Sequence, residues 1–162
     1  MEVLRSRGVT SAEDLDYQLN HLPRPEQLAN IHVAADILAA AITQNKHILI
    51  VGDFDCDGAT GVSVGMLGLS LFGAKRVSYL VPNRFDFGYG LTPELVEHAE
   101  ALKPDVIVTV DNGISSVTGV AAAKARGWQV IVTDHHLPGD QLPDADAIVN
   151  PNLANCTFPS KA

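Results

Sequence analysis

Three short β-branched runs lead, at once or after one residue, into an aspartate, and this repeated strand-to-acid junction constrains the fold more than any other feature. The runs span residues 47–51 before Gly52 and Asp53, 106–110 before Asp111, and 130–133 before Asp134. Two further runs, 77–81 and 147–149, have the same character, and helical segments at 59–71, 92–102 and 116–125 lie between them. This alternation predicts an α/β fold, a parallel, Rossmann-like doubly wound sheet with right-handed crossovers and helices on both faces. Most of the runs are apolar throughout, as strands covered on both faces are. In a parallel sheet the three aspartates share one carboxyl edge, where open α/β folds bind their ligands.

The first 45 residues read as helical and are expected to form a segment, 1–45, packed on a core domain at 46–162. Thr10 and Ser11 stand ahead of Glu13 and Asp14 in a capping-box pattern, predicting a short helix through Leu19 that Pro23 and Pro25 end. From Glu26 onward Leu28, Ile31, Ala34, Ile37, Leu38, Ala41 and Ile42 form a stripe suited to lie on a sheet, with His32 off it. Thr92-Pro93-Glu94 is a helix start, and Gly73 and Gly127 suit helix ends. The tail from Asn150 shows no periodicity.

Around the three junctions the sequence concentrates acid and imidazole. Asp55 and Asp57 follow Asp53 at alternate positions, and His135 and His136 follow Asp134. One aspartate after a strand is more often a helix cap than a ligand; three such strands and an alternating acidic cluster reverse that expectation. Carboxylates a few ångströms apart raise one another's pKa, and no basic run lies nearby to relieve them. One or two divalent cations would. Hard oxygen donors mixed with imidazole favour Mn²⁺ or Mg²⁺ over a thiolate-zinc site, and two metals sharing a carboxylate suit hydrolysis of a phosphoester. Cys56, between the carboxylates, reads as a small spacer.

Other motifs fail on context. Gly61-Val-Ser63-Val-Gly65 matches a nucleophile elbow, but Ser63 falls inside a helix rather than on the turn after a strand. Gly58, Gly61, Gly65 and Gly68 instead suit close packing of that helix on the sheet. Neither a P-loop nor a dinucleotide fingerprint occurs. The Gly-rich loop 83–90 follows the second strand, and there Arg84 is a candidate for phosphate binding and Tyr89 for base stacking.

Eleven basic against nineteen acidic residues give a net charge of −8, which excludes a chain that coats nucleic acid or anionic membrane by overall charge. Two cysteines, Cys56 and Cys156, make no disulfide framework and suit a reducing cytoplasm. No run approaches membrane-spanning length, so no membrane partner is expected.

Together, Val51-Gly-Asp53-Phe-Asp55-Cys-Asp57-Gly58, Val110-Asp111-Asn112-Gly113 and Asp134-His135-His136 resemble the first three motifs of the DHH phosphoesterase superfamily. The segments from Val81 to Leu91, Asp134 to Gly139 and Asn150-Pro-Asn152 are similar to its single-stranded-DNA exonucleases, and the likeness runs from about Ser6 to the last residue. The resemblance implies a Mn²⁺- or Mg²⁺-dependent exonuclease with two metals, digesting single-stranded DNA 5′→3′ in repair and recombination, beside other proteins of those processes. It implies Asp55 and Asp57 as metal ligands, Asp111 as bridging carboxylate and His135 as ligand to the second metal. His136 would face the scissile phosphate, Asp53 would ligate or orient ligands, and Asp134 would orient them. By the same likeness His136, Asp111 and Asp53 are the catalytic candidates and His136 a substrate-binding one, beside Arg84 and Tyr89 from the placement of their loop.

Two positions depart from the pattern. Val51 stands where many members carry a histidine, and Phe87 where the exonucleases usually have an acid. The family's fourth acidic motif and second domain do not follow Ala162, so the chain is expected to be the first portion of a longer nuclease, inactive alone if those parts are needed. Two alternatives remain at this level. Asp55-Cys-Asp57-Gly58-Ala-Thr60 approximates the signature of haloacid-dehalogenase-like phosphatases, whose aspartate is a nucleophile, and a non-catalytic metal- or nucleotide-binding fragment is the other.

Overall fold

The structure, a computed structural model, describes residues 2–16 and 18–161, without the side chains of Asn20 and Arg84. Five strands form one all-parallel sheet in the order β2-β1-β3-β4-β5: β1 Ile48–Gly52, β2 Val77–Leu80, β3 Val106–Val110, β4 Gln129–Thr133 and β5 Ala147–Val149. Each strand lies within one residue of the expected run. The helices are α1 Glu2–Ser6, α2 Ile31–Thr43, α3 Cys56–Leu71, α4 Arg84–Phe87, α5 Pro93–Ala99 and α6 Val117–Ala125.

Two apolar layers hold the sheet. Val62 and Leu69 of α3 and Ala34 and Ala41 of α2 pack with Ile48, Ile50, Val106, Val108 and Ile131 on one face. On the other, Leu95, Val96 and Ala99 of α5 and Val120 and Ala123 of α6 pack with Leu49, Val51, Ile107, Val130 and Val132. Successive strand residues thus feed opposite layers, which is why β1, β3 and β4 had to be apolar at nearly every position. The edge strand β2 departs from that expectation: Tyr79 is exposed, and no residue of β2 is fully buried.

The N-terminal region also differs from its reading. In place of a helix through Leu19 there are α1 and isolated 3₁₀ turns at Glu13–Leu15, Leu19–His21 and Pro25–Gln27. The carboxylate of Asp14 accepts from the amides of Thr10 and Ser11 at 2.7 and 2.9 Å, the reaching-back half of the expected capping box, but the helix that it starts ends after the single 3₁₀ turn Glu13–Leu15. None of these turns buries an apolar side chain in the core, so nothing pays for a longer helix. The stripe in α2 is as expected, but α2 starts at Ile31 because Asn30 adopts φ 62°. Asn30 donates through Nδ2 to Ile148 O at 2.8 Å and ties α2 to β5.

Glycines let α3 sit close to the sheet. A Cβ on Gly58 would meet the Asp53 carbonyl oxygen at 2.6 Å, one on Gly61 would meet Val110 Cγ1 at 2.6 Å and one on Gly65 would meet Ile50 Cδ1 at 2.9 Å. Gly68 faces open space, so its expected packing role is not seen. Ser63 lies within α3 and donates to Ala59 O at 2.8 Å, as an ordinary helical serine does.

Candidate metal centre

Strand register alone brings the acidic junctions together. Gly52 pairs with Val110, and Val110 with Thr133, so β1, β3 and β4 end at one level. The next residue in each strand is Asp53, Asp111 or Asp134. The chain from β1 leads toward β2 on one side and that from β3 toward β4 on the other, so the crevice between them is the topological switch point of this strand order.

Two sets of donors form there and share one residue. Asp53, Asp55 and Asp111 place one oxygen each within 4.8 Å of one another, and Asp111, His135 and His136 do the same with an oxygen and two ring nitrogens. His135 Nε2 is 2.9 Å from Asp111 Oδ1 and 3.8 Å from Asp57 Oδ2. Asp57 itself is largely exposed and belongs to neither set. Asp55 caps α3, its Oδ1 accepting from Gly58 N at 3.3 Å, so the ordinary capping role is present together with the clustering.

Asp134 is turned inward. Its Oδ2 accepts from Ile114 N at 2.9 Å, and its Oδ1 from His135 N at 2.7 Å, His136 N at 3.1 Å and His136 Nδ1 at 2.7 Å. A carboxylate only accepts, so Nδ1 of His136 carries the proton. This bond raises the imidazole's pKa above its ordinary value, against the opposing effect of burial. The Asp111 carboxyl is also raised, first by burial and then by the charge of Asp57, while His135 opposes the shift. The cluster therefore carries negative charge that its own imidazoles do not fully offset, the condition that a bound cation relieves.

The backbone at Asp111 is unusual as well. It adopts φ 63°, a left-handed conformation uncommon outside glycine, and its amide still donates to Thr133 O at 3.0 Å. Asn112, completely buried, donates through Nδ2 to Val51 O at 3.1 Å and Val110 O at 2.9 Å, pinning the ends of β1 and β3 together. Its Oδ1 is buried without a hydrogen-bond partner.

Tyr89 comes from the loop after α4. Its hydroxyl donates to Asp111 O at 3.2 Å and lies 3.3 Å from His136 Nδ1, with the two rings edge to face at 5.9 Å. The loop expected at 83–90 contains the short α4, and the side chain of Arg84 lies outside the described residues. Reading the residues gave no role to Asn112, Asn150 or Asn152, because an asparagine beside a strand end reads as a turn former. Asn112 joins two strands, and Asn150 and Asn152 donate to His136 O and His135 O at 2.9 and 2.5 Å.

The donor set suits hard or borderline divalent cations: carboxylate oxygens form one group, and a carboxylate with two imidazoles the other. Cys56 is exposed and Cys156 stands apart; neither joins a donor set.

Comparison with known proteins agrees with this arrangement. Residues 47–162 match the family model described as DHH family, N-terminal domain. The chain is 55% identical over 157 residues to the single-stranded-DNA-specific exonuclease RecJ of Salmonella typhimurium, covering 97% of this chain and 27% of that protein. Among solved structures, exonuclease RecJ bound to manganese aligns with TM-score 0.71 and 40% identity over 78% of this chain and 32% of that one. RecJ in complex with Mn²⁺ from Thermus thermophilus aligns with TM-score 0.74 and 36% identity over 98% of this chain and 22% of that one. The chain thus spans about a quarter of the length of the curated relative. These matches do not favour the haloacid-dehalogenase-like alternative. With the five-stranded parallel sheet and the acidic junctions at its switch point, they identify the chain as a member of the DHH family.

Proposed function

We propose that this chain is the metal-binding catalytic portion of an exonuclease that degrades single-stranded DNA 5′→3′ in repair and recombination, using Mn²⁺ or Mg²⁺. The observation that carries the reading is that two donor sets share Asp111 at the switch point of the sheet. The likeness to the manganese-bound exonucleases supports it.

In this reading Asp53, Asp55 and Asp111 hold one cation, Asp111 and His135 hold a second, and Asp57, 3.8 Å from His135, joins the ligands. Divalent cations there would supply charge neutralisation of the phosphodiester and activation of water. The chain's own residues orient and hold protons. Asp134 fixes the ring of His136 with the proton on Nδ1, and its raised pKa keeps that imidazole cationic over a wider pH range, suited to a phosphate oxygen. Tyr89 borders His136 and gives a base a ring to stack on, with Arg84, at the start of the preceding α4, as phosphate partner.

The same reading takes 46–162 as the phosphoesterase domain and 1–45 as the segment on its surface. Of that segment, α2 is anchored in the core through Ala34 and Ala41. The relatives' additional length would furnish the rest of a DNA groove, and contacts with other repair and recombination proteins would lie on that longer assembly. No helix among the described residues is long and apolar enough to cross a membrane, and the two free cysteines agree with a cytoplasmic setting.

The test is Mn²⁺-dependent thermal stability. Millimolar Mn²⁺ is expected to raise the Tm of the chain, and Asp111→Asn to remove the increase, because the shared ligand of both sets is lost. An unchanged melting curve in Mn²⁺ would overturn the reading.

A further inference from the structure

The two imidazoles of the site sit on a stretch with neither helix nor strand, residues 134–146, yet their own peptide groups are held on every side. Asp134 Oδ1 accepts from the amides of His135 and His136 at 2.7 and 3.1 Å. The two carbonyls are taken from the opposite direction. Asn150 Nδ2 donates to His136 O at 2.9 Å, and Asn152 Nδ2 donates to His135 O at 2.5 Å.

The asparagines are themselves fixed. Asn150 is fully buried and directly follows β5, where Asp134 N donates to Val149 O at 3.1 Å and extends the β4–β5 ladder by one bond. Its Oδ1 accepts from Asn152 N at 2.7 Å, and Pro151 between them restricts the backbone. The strand end therefore places one carboxamide, which places the other, and together they hold a dipeptide about fifteen residues back in sequence.

We infer that Asn150 and Asn152 are positioning residues that aim the imidazoles of His135 and His136 into the metal centre. This rests on the proposed cation site, since it gives the aimed rings their purpose. With both amides and both carbonyls of the dipeptide engaged, the Cα–Cβ directions of the two histidines are set before any ligand arrives. Without the carboxamides the carbonyls are free to rotate, and His135 Nε2 loses its placement 2.9 Å from Asp111.

Asn152 is the residue to vary, because it is only partly buried and the other bond of its Nδ2, to Lys161 O at 3.1 Å, lies in the tail. Asn152→Ala removes the donor, and Asn152→Asp keeps the shape but sets a carboxylate oxygen against the His135 carbonyl. Asn30→Ala is the control: it deletes a similar cross-fold bond, to Ile148 O at 2.8 Å on β5, and removes neither carboxamide. Two readouts are taken on the whole chain, the ¹H–¹⁵N imidazole signals without metal and the Mn²⁺ affinity from the electron spin resonance of free Mn²⁺.

Both Asn152 variants are expected to move the imidazole signals of His135 and His136 and to weaken Mn²⁺ binding about tenfold, the usual scale for a lost ligand-orienting bond. Asn30→Ala is expected to lower Tm and leave both readouts in place. Unmoved imidazole signals in Asn152→Ala, or equal changes in Asn30→Ala, would overturn the inference. If the unaltered chain binds no Mn²⁺, the cation reading fails, and the imidazole signals alone decide for or against the positioning role.

Discussion

Asp111 concentrates the chemistry of the site at the residue scale. It is the member common to both donor sets, it holds a left-handed backbone conformation, and its carboxyl is raised by burial and by Asp57. A carboxyl whose folded pKa lies above its unfolded value binds its proton more tightly in the native state, so stability falls as pH rises from about 3.8 through the raised value. His136 acts in the same direction higher up: its contribution is complete below about 6.5 and is lost as pH rises through its raised folded pKa. The Tm of the metal-free chain is therefore expected to decline as pH rises from about 6.5, and His136→Ala is expected to flatten that limb. A thermal-melt series across pH checks both, and a limb as steep in the variant as in the parent would remove His136 as its cause. Sequence pattern alone brought Asp53, Asp55, Asp111, His135 and His136 to one edge. It did not show that Asp134 is turned inward onto two amides and a ring nitrogen, because that depends on the path of the loop after β4 rather than on residue type.

Among the elements, the strands were the most legible and the N-terminal turns the least. Strands β1, β3 and β4 are apolar in nearly every position because both faces are covered. The region before Asn30 has capping residues and prolines but no buried stripe, so local hydrogen bonds such as those to Asp14 decide its shape. Helix α3 links element to site: its first residues follow Asp55, and its glycines set how near the acidic turn lies to β1. Gly58→Ala would force a Cβ to 2.6 Å from the Asp53 carbonyl oxygen, against backbone that has nowhere to go. That substitution is expected to cost about 1–3 kcal/mol as overpacking and to weaken Mn²⁺ binding in parallel. Gly68→Ala, where a Cβ meets nothing, is expected to stabilise by about 1 kcal/mol through helix propensity. Urea unfolding of the pair measures the contrast, and equal effects would contradict the packing role of Gly58.

For the whole molecule, a net charge of −8 opposes the polyanionic substrate that the proposed function requires. In that proposal the fold answers with a local device, concentrating carboxylates where bound cations would reverse the sign of the field. Binding of a single-stranded oligonucleotide by this chain is accordingly expected to be negligible in EDTA and to appear with Mn²⁺, read by fluorescence anisotropy. Binding of equal strength in both conditions would assign the contact to surface outside the metal centre. The sheet order was not readable from sequence, since alternating strands and helices fit more than one arrangement, but any parallel order leaves the three junctions on the same edge. The central claim is that these acids meet in order to hold metal. Its most direct measurement is a crystal of the chain soaked in Mn²⁺ and recorded at the manganese absorption edge. Anomalous peaks touching the carboxylate of Asp111, one toward Asp53 and Asp55 and one toward His135, are the predicted result. A map with manganese elsewhere and none at Asp111 would contradict it.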